Sequence, residues 1–537
     1  MVPISSRTDH ALSACNPHLL RITFGLILFT NLACSFYASF DARGLYADGA
    51  AFLVAIYERN WFLFPSSTRI AVDILRQGPI VLLSRYTSAT LFECGQAFTF
   101  VMLTLPTILC SFCWPIAPRD QKAWSLFPLT SLLVGFAATS MHAIGEAAIA
   151  AGYYWILLFI LLFRTSSIPG QVLFLLLCIP AFWLHEGAFP LTVMLLFSLA
   201  LRVKSAPDHP FARRFVGLAS LLLLMILADQ IVFVLSPLYP ADRASALRGL
   251  TRFEFLYFDN HFNLPGFTGI IAMLTLIATF AVYATQPTDK ASRYAKIIMS
   301  IWAIFVVATL ACSLTIEQSF SPFAQLQSRY NPPIVSAVLG TFIILLRRFQ
   351  PPGRLWLHPA AIFTLISLCA AQAISDVSAT RRWTSYVTDL QSRLAIGRGL
   401  VPWEATLQTA DEQADTNWRL FKIGWVMPHT SIIFAPNGIV RAIIAPPEGT
   451  PPSLRLDPDH LPELRSIDYA PYKRFLNEQS SAVPYTHANH PLGPVGAFAP
   501  LQTLVHTSDA GSIIFAATDW GRAQSAALGR AEPKFRG

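Results

Sequence analysis

Charge is scarce in this sequence. Only 13% of its 537 residues are Asp, Glu, Lys or Arg, and 54% are hydrophobic. A soluble domain carries about 25% charged residues, because charge is what covers a water-facing surface. The low charge therefore excludes a soluble protein. Apolar runs close to the ~20 residues that cross a bilayer recur along the first two thirds of the chain, and they predict a polytopic α-helical membrane protein.

Other features are also missing. Residues 377–537 have no cysteine, so they cannot contain a disulfide. No glycine-rich nucleotide-binding loop is visible, which disfavours a nucleotide-activated substrate. Residues 19–38 are long for a signal peptide and no small-residue cleavage site follows, so we expect a permanent span. Cys110 and Cys113 form a CxxC inside an apolar run without a second ligand pair, which favours membrane packing over zinc.

The apolar runs also predict a topology. They predict eleven spans, at 19–38, 93–116, 125–141, 148–163, 168–184, 187–201, 215–237, 267–285, 297–316, 333–346 and 357–376. Basic residues concentrate in alternate connections, which the positive-inside rule assigns to the cytoplasm together with the N-terminus. An odd number of spans then places the C-terminal region outside. The net charge of +8 belongs to the membrane part, so nucleic acid is not an expected partner.

Composition divides the chain into two predicted domains. Residues 1–376 form the membrane domain, and residues 377–537, rich in proline and turn residues, form a soluble extracytoplasmic domain of mixed α/β structure. Within the latter, short β-rich runs are predicted as strands at Ser431–Phe434, Ile439–Ile444 and Ser512–Ala516. The first outer loop, 39–92, has helical apolar spacing at 49–62 and 69–86, with a break at Gln77-Gly-Pro79. Both segments are predicted to be helices lying in the membrane interface.

Carboxylates concentrate on the predicted outer face. Asp48 and Asp41, in the first outer loop, are candidates for a catalytic base, since general-base catalysis needs a carboxylate within reach of the proton it removes. The alternative for Asp48 is a helix cap. Asp229, inside the seventh predicted span, is a functional candidate because ionisable groups there are costly.

Two His/Glu pairs and two arginines are candidates for substrate binding. The pairs, His142 with Glu146 and His185 with Glu186, lie at predicted outer helix ends and could instead be hydrogen-bonded structural pairs or ligands of a divalent metal. Arg329, followed by Tyr330, enters the tenth span from outside, and Arg43 follows Asp41. A guanidinium matches phosphate bidentately, although interfacial Arg and Tyr also serve as membrane anchors. No metal or other cofactor is predicted.

The predicted protein has an outer first loop with Asp48, helices that follow it, a later Arg329-Tyr330-x-x-Pro333 and an outer C-terminal domain. This combination resembles the GT-C superfamily of membrane glycosyltransferases. That superfamily includes protein O-mannosyltransferases and the transferases that attach aminoarabinose to lipid A. The resemblance implies a polyprenyl-phosphate sugar donor, Asp48 as the base and Arg329 as a contact of the donor phosphate. Many relatives have two adjacent acidic residues in this loop, whereas Gly49 follows Asp48 here.

Three hypotheses about function follow. The first is a glycosyltransferase at the outer face of a bacterial inner membrane, which transfers a sugar from the lipid-linked donor to an envelope glycan, lipid or protein. The second is a transporter or flippase for a lipid-linked or anionic substrate, although no internal repeat supports it. The third is a non-catalytic envelope-assembly protein in which residues 377–537 are the working part.

Topology provides the first test. A reporter fused after residue 376 should be active outside the cytoplasm, and one fused near Ser205 should behave as cytoplasmic, because basic connections stay inside. Alkaline phosphatase and green fluorescent protein fusions at both positions measure this. Cytoplasmic behaviour of the first fusion would contradict the predicted number of spans.

Overall fold

The part of the chain that the computed structural model describes is mostly helical. It comprises residues 17–46, 48–59, 61–64, 67–136, 145–205, 210–235, 257–258, 261–262, 331–349, 359–395, 399–402, 421, 426–435 and 441–444. All of these residues belong to one compact unit, Met1–Gly496. Helices and strands are numbered below in chain order among these residues only.

The helices fall into three groups along the chain. Those of the first span and first loop are α1 Pro17–Phe40, α2 Asp48–Arg59 and α3 Ile70–Tyr86. Those of the central part are α4 Leu91–Ser111, α5 Cys113–Ile116, α6 Leu126–Phe136, α7 Glu146–Phe163, α8 Ile168–Cys178, α9 Phe189–Ser205 and α10 Pro210–Leu235. Later in the chain are α11 Asn331–Phe349, α12 Pro359–Ala395 and α13 Met427–Phe434.

Two small sheets and several short 3-10 turns complete the described structure. Strands β1 Tyr257–Phe258 and β2 His261–Phe262 pair antiparallel. Strands β3 Gly399–Pro402 and β4 Arg441–Ile444 pair in parallel, with Gly399 opposite Arg441. The 3-10 turns that matter for the site are Arg43–Leu45, Ser67–Arg69, Arg119–Ser125 and Glu186–Ala188.

Four helices of the described part are long and apolar enough to cross a membrane. They are His18–Phe40, Leu91–Ile116, Glu146–Phe163 and Arg213–Phe233. In α7, 83% of the apolar window is buried inside the protein, against 28% in α1 and in α10. The helix α7 is therefore the central one, packed against α4, α8, α9 and α11, while α1 and α10 turn large apolar side chains outward, as lipid-facing helices do.

Most predicted spans in the described part coincide with helices, because a run of apolar residues both crosses lipid and favours a helix. The predicted spans 267–285 and 297–316 lie outside the described residues. The last predicted span is longer as a helix: α12 has 37 residues and ends at Ala395, so the predicted domain boundary after residue 376 falls inside it. Hydropathy marks where the apolar composition ends, whereas the helix continues because Trp383 and Tyr386 remain buried.

The two predicted helices of the first outer loop are present, but their environment and continuity differ from the prediction. Residues 49–56 of α2 are all buried, between α4, α3 and α13, so this stretch has no exposed face, and its predicted position in the membrane interface stays a prediction. The predicted break in α3 is wrong, since the helix continues through Pro79. A proline removes one backbone hydrogen bond, and packing against α4 sustains the rest of the helix.

The described residues beyond 395 pack onto the membrane part. The predicted strand at Ile439–Ile444 is confirmed over Arg441–Ile444, as β4, and its first two residues lie outside the described part. Ser431–Phe434 is helical instead, in α13, where Pro428 occupies the first turn and starts the helix. The predicted strand at Ser512–Ala516 lies outside the described residues. The indole of Trp383 lies 5.3 Å from the ring of Phe421 and 5.8 Å from that of Phe434, which fixes this segment against α12.

A buried ion pair ties the start of the first outer loop to α12. Arg43, fully buried, donates from Nη2 to Oδ1 of Asp376 at 2.6 Å, and from Nη1 to the carbonyl of Asp376 and to Oγ1 of Thr380, both at 2.8 Å. Ala42, immediately before it, has a φ of 48°, a strained value for a residue with a Cβ. The strain is tolerated because the guanidinium of the following residue, Arg43, is held by three hydrogen bonds to α12.

Breaking this ion pair should destabilise the protein. Arg43→Met leaves the Asp376 carboxylate buried without its partner and should cost about 3–5 kcal/mol in the free energy of unfolding. The double variant Arg43→Met with Asp376→Leu should recover most of that loss, because no charge is then left unpaired. Urea unfolding in mild detergent measures both, with Arg85→Met, at an exposed position, as control. A double variant no more stable than Arg43→Met would refute this account.

Candidate functional site

A cluster of buried charged side chains lies where the first outer loop meets the N-terminal end of α7. Helix α3 and the turn before it supply Arg69, Asp73 and Arg76, α7 begins with Glu146, and the turn before α9 supplies His185 and Glu186. Together these six residues are called the Arg–Glu cluster below. The chain positions span 69 to 186, so the cluster joins three segments that are far apart in sequence.

Arg76 is the innermost member. Its side chain is fully buried, with Nη2 2.6 Å from Oδ1 of Asp73 and Nη1 2.5 Å from Oε1 of Glu146. The guanidinium also lies over the ring of Phe52 in α2, 4.8 Å from the centroid. Asp73 and Arg76 are three residues apart in α3 and form an ion pair within the helix.

Arg69 links the two glutamates. Its Nη1 donates to Oε2 of Glu146 at 2.8 Å, and its Nε and Nη2 form a bidentate pair with Glu186, the Nε bond being 3.0 Å long. Thr68 donates a further hydrogen bond to Oε2 of Glu186 at 3.0 Å. Of the two arginines, Arg69 alone keeps some surface, 16% of its side chain, so it is the side from which the cluster is reached.

His185 lies between the two glutamates. Its Nδ1 accepts a hydrogen bond from the backbone N–H of Gly187 at 2.9 Å, so in the neutral ring the proton is on Nε2. That Nε2 is 4.0 Å from Oε2 of Glu146 and 4.0 Å from Oε1 of Glu186. The imidazole is therefore placed to become positively charged between two carboxylates.

The charges of the Arg–Glu cluster do not balance when all carboxylates are ionised and His185 is neutral, since three negative groups face two positive ones. Burial is the main cause that raises the pKa of Asp73 to about 7, with Glu146 adding to it against the opposing effect of Arg76. Burial acts on Glu186 in the same direction, but Arg69 and His185 outweigh it and hold the pKa of Glu186 well below its usual range. Asp73 is thus the carboxyl that takes up a proton first.

The predicted site residues separate into those inside and those outside this cluster. Glu146, His185 and Glu186 are brought together in it. Arg43 lies in its own buried pair with Asp376. Asp41 accepts a 2.5 Å hydrogen bond on Oδ2 from Oγ1 of Thr384, and its carbonyl accepts one from Nε1 of Trp383 at 2.7 Å.

Asp48 is the first residue of α2, one helical turn before Phe52, whose ring covers Arg76. Its side chain is outside the described part of the structure, as are the whole residues His142, Arg329 and Tyr330. The backbone at Asp48 is closely confined, because a Cβ on the next residue, Gly49, would lie 1.9 Å from the carbonyl oxygen of Gly44. The position after Asp48 therefore excludes any side chain, and with it a second acidic residue.

Asp229, a further candidate, is exposed on α10, away from the Arg–Glu cluster in sequence and on an outward-facing helix. Among the described residues, no group of three or more His, Cys, Asp or Glu has the arrangement that a metal ion needs. Glu146 and Glu186 are joined through Arg69 instead. The ring of His185 is hydrogen-bonded to the backbone N–H of Gly187 and lies 4.0 Å from Glu186, so this pair is not directly hydrogen-bonded.

Sequence reasoning missed Arg69, Asp73 and Arg76. Their spacing, four residues and then three, places all three on one face of a helix, and this helix was predicted. That signal was available, because charged residues on one stripe of a helix that also carries apolar residues need partners. What the sequence did not contain was the identity of those partners.

Comparison with protein-family models, with curated proteins and with solved structures finds no match to this chain. The chemistry of the site is therefore interpreted from its own geometry.

The raised pKa of Asp73 makes stability depend on pH with a defined sign. The folded protein binds the proton of Asp73 more tightly than the unfolded chain does. The stabilisation that this protonation gives the folded state is therefore complete below the ordinary pKa of 3.8 and is lost as the pH rises to about 7. The melting temperature of wild type should therefore fall relative to that of Asp73→Asn between about pH 5 and 7, and the difference should be constant at higher pH.

Melting curves in detergent across this range measure the effect, with Glu186→Gln as the matched control. Glu186 has a lowered pKa, so its contribution should be lost only as the pH falls below the ordinary value of 4.5. A difference between wild type and Asp73→Asn that does not change with pH would show that Asp73 keeps an ordinary pKa.

Proposed function

We propose that this protein is a membrane glycosyltransferase that uses a polyprenyl-phosphate sugar as donor. The observation that carries the proposal is the convergence of three predicted outer connections in the Arg–Glu cluster, beneath the first outer loop. A protein that only spans the membrane gains little from burying six ionisable groups at one end of its central helix, because buried ion pairs stabilise a fold weakly or not at all. Groups of this kind concentrate where chemistry or binding occurs.

The reaction in this proposal is a single displacement with inversion. The hydroxyl oxygen of the acceptor attacks the anomeric carbon of the donor sugar, and the bond from that carbon to the phosphate oxygen breaks. The electron pair leaves with the polyprenyl phosphate, and Asp48 takes the hydroxyl proton as general base. Arg329 and Tyr330 are the proposed contacts of the leaving phosphate, and a guanidinium there offsets the negative charge that develops.

The Arg–Glu cluster supports this mechanism by fixing the position of Asp48. Phe52, one turn after Asp48 on the buried α2, is held by the guanidinium of Arg76, which is itself held between Asp73 and Glu146. A catalytic base must lie within hydrogen-bond distance of its proton, so a helix without freedom to move is the appropriate support. Glu146, Glu186 and His185 act here as positioning residues.

The proposal includes four further features of topology, domain organisation and location. They are the eleven spans, a cytoplasmic N-terminus, residues 377–537 as a domain of mixed structure outside the membrane, and a location in a bacterial inner membrane. His142 is proposed to line the same outer end, because it precedes Glu146 by four residues. The acceptor is a glycan, lipid or protein of the envelope, and the reaction as written needs no cofactor.

Asp48→Asn should abolish transfer without unfolding the protein. Asn is nearly isosteric and caps a helix equally well, but it cannot take the acceptor's proton, so the rate should fall by about 10²–10⁴-fold. Release of polyprenyl phosphate from polyprenyl-phosphate-linked mannose or aminoarabinose, by purified protein with membrane extract as acceptor, measures the rate. The melting temperature of the same sample should be unchanged.

Asp41→Asn is the matched control. It is the other candidate base of this loop, and an Asn at this position still accepts the hydrogen bond from Thr384, so turnover should stay close to wild type. Wild-type turnover in Asp48→Asn would remove Asp48 as the base. Loss in Asp41→Asn alone would transfer that role to Asp41.

A further inference from the structure

Three basic side chains gather at the end of α7 opposite the Arg–Glu cluster. Arg164 directly follows α7, and Arg119 and Lys122 belong to the 3-10 turn Arg119–Ser125. These three residues are called the basic cluster below. The 18 residues of α7 span about 27 Å at the usual helical rise, close to the thickness of the hydrocarbon core of a bilayer. The basic cluster and the Arg–Glu cluster therefore lie at opposite surfaces of the membrane.

Neutral groups hold two of these cations in place. Arg164 donates from Nε to the carbonyl of Ile116 at 3.0 Å and from Nη2 to that of Pro115 at 3.1 Å. Lys122 donates to the carbonyl of Trp114, and its Nζ lies 5.5 Å from the centroid of that indole. These are the last carbonyls of α5, whose partial negative charge orients the cations but does not neutralise them.

The positive charge at this place is concentrated. Burial and then the neighbouring guanidiniums of Arg164 and Arg119 lower the pKa of Lys122, so the three cations are near enough to repel one another. The side chain of Asp120, in the same turn, lies outside the described part, so the net charge of this turn and Arg164 is +2 in the sequence. No ion pair with a carboxylate is present for the three cations among the side chains that the structure describes. Arg119 and Arg164 are exposed, so a ligand can reach them.

The surface beside the basic cluster is apolar. Helix α8 begins four residues after Arg164 and leaves Ile168, Val172 and Leu176 exposed, at 57%, 49% and 57% of their surfaces. Their spacing of four residues places them on one stripe that runs along the helix away from the basic cluster. An anionic group at the cluster and a hydrocarbon chain along this stripe would both be accommodated.

We propose that the basic cluster binds the headgroup phosphate of an anionic phospholipid, with one acyl chain of the same molecule lying along the exposed stripe of α8. Basic pockets between membrane helices bind such headgroups, and a guanidinium pairs with phosphate through two parallel hydrogen bonds. The apolar stripe selects a lipid over a free phosphate ion. This inference does not depend on the proposed glycosyltransferase activity.

The test compares lipid binding by the full-length protein in neutral detergent. Native mass spectrometry and melting temperature are measured with dioleoylphosphatidylglycerol, with dioleoylphosphatidylcholine and with inorganic phosphate alone. Wild type should bind phosphatidylglycerol saturably and in preference to phosphatidylcholine. Arg119→Gln, which leaves all three hydrogen bonds to carbonyls of α5 intact, should weaken phosphatidylglycerol binding by about fivefold. The triple Gln variant of Arg119, Lys122 and Arg164 should lose the preference.

Arg85→Gln is the matched control, because this exposed arginine on α3 removes the same single charge outside the basic cluster. It should leave phosphatidylglycerol binding within about twofold of wild type, since general surface attraction makes only a small contribution per residue. An equal loss in this control and in Arg119→Gln would overturn the proposal in favour of non-specific attraction. Equal binding of both lipids by wild type, or equal stabilisation by inorganic phosphate, would overturn it as well.

Discussion

The structure depends on the burial of charge in pairs at one end of its central helix. Arg76 is fully buried among Asp73, Glu146 and the ring of Phe52, and a lone guanidinium in that position would cost several kcal/mol. Each partner comes from a different segment, so the pairing is possible only when α2, α3 and α7 are all in place. The same holds for Arg43, which needs Asp376 from α12. These two sets of pairs define how the first outer loop lies on the rest of the protein, because neither arginine has an equally good alternative in water-free surroundings.

The helices could be predicted from the sequence, because a bilayer imposes one solution on every apolar run: a helix that satisfies its own backbone. Both helices of the first loop were predicted by the same reasoning about periodicity. The burial of α2 was not, since Ala50, Ala51 and Ala55 look neutral in sequence and only their packing against neighbouring helices shows that a close approach was required. The full length of α12 was also missed, since its second half is polar enough to look like the start of a soluble domain.

The candidate site shows the same limit. Glu146, His185 and Glu186 were identified because charged residues at apolar helix ends are conspicuous. Arg69 and Arg76 were not, because a predicted helix in the membrane interface is expected to carry arginines toward water, where they need no protein partner. Only the burial of α2 above them turns these arginines inward. A contact between positions 76 and 146 has no local signature, so it could not be predicted from one sequence.

The two ends of α7 illustrate how stability and binding can use the same residues. A carboxylate at a helix N-terminus and a cation just past its C-terminus both interact favourably with the helix dipole, and α7 has Glu146 at one end and Arg164 at the other. That arrangement alone is worth a few tenths of a kcal/mol to about 1 kcal/mol at each end.

The helix dipole does not explain why Glu146 is buried with two arginines while Arg164 stays exposed beside two more cations. At the first end, carboxylates and guanidiniums pair with one another inside the protein. At the second end, the cations remain accessible to an anionic ligand. Among the described residues, the difference follows from the connections: α3 and the turn before it, from the long loop 39–92, cover one end of α7, whereas the short segment 112–125 lies beside the other. The longer connection can fold back and supply partners for buried charges, and the shorter one leaves Arg164 exposed.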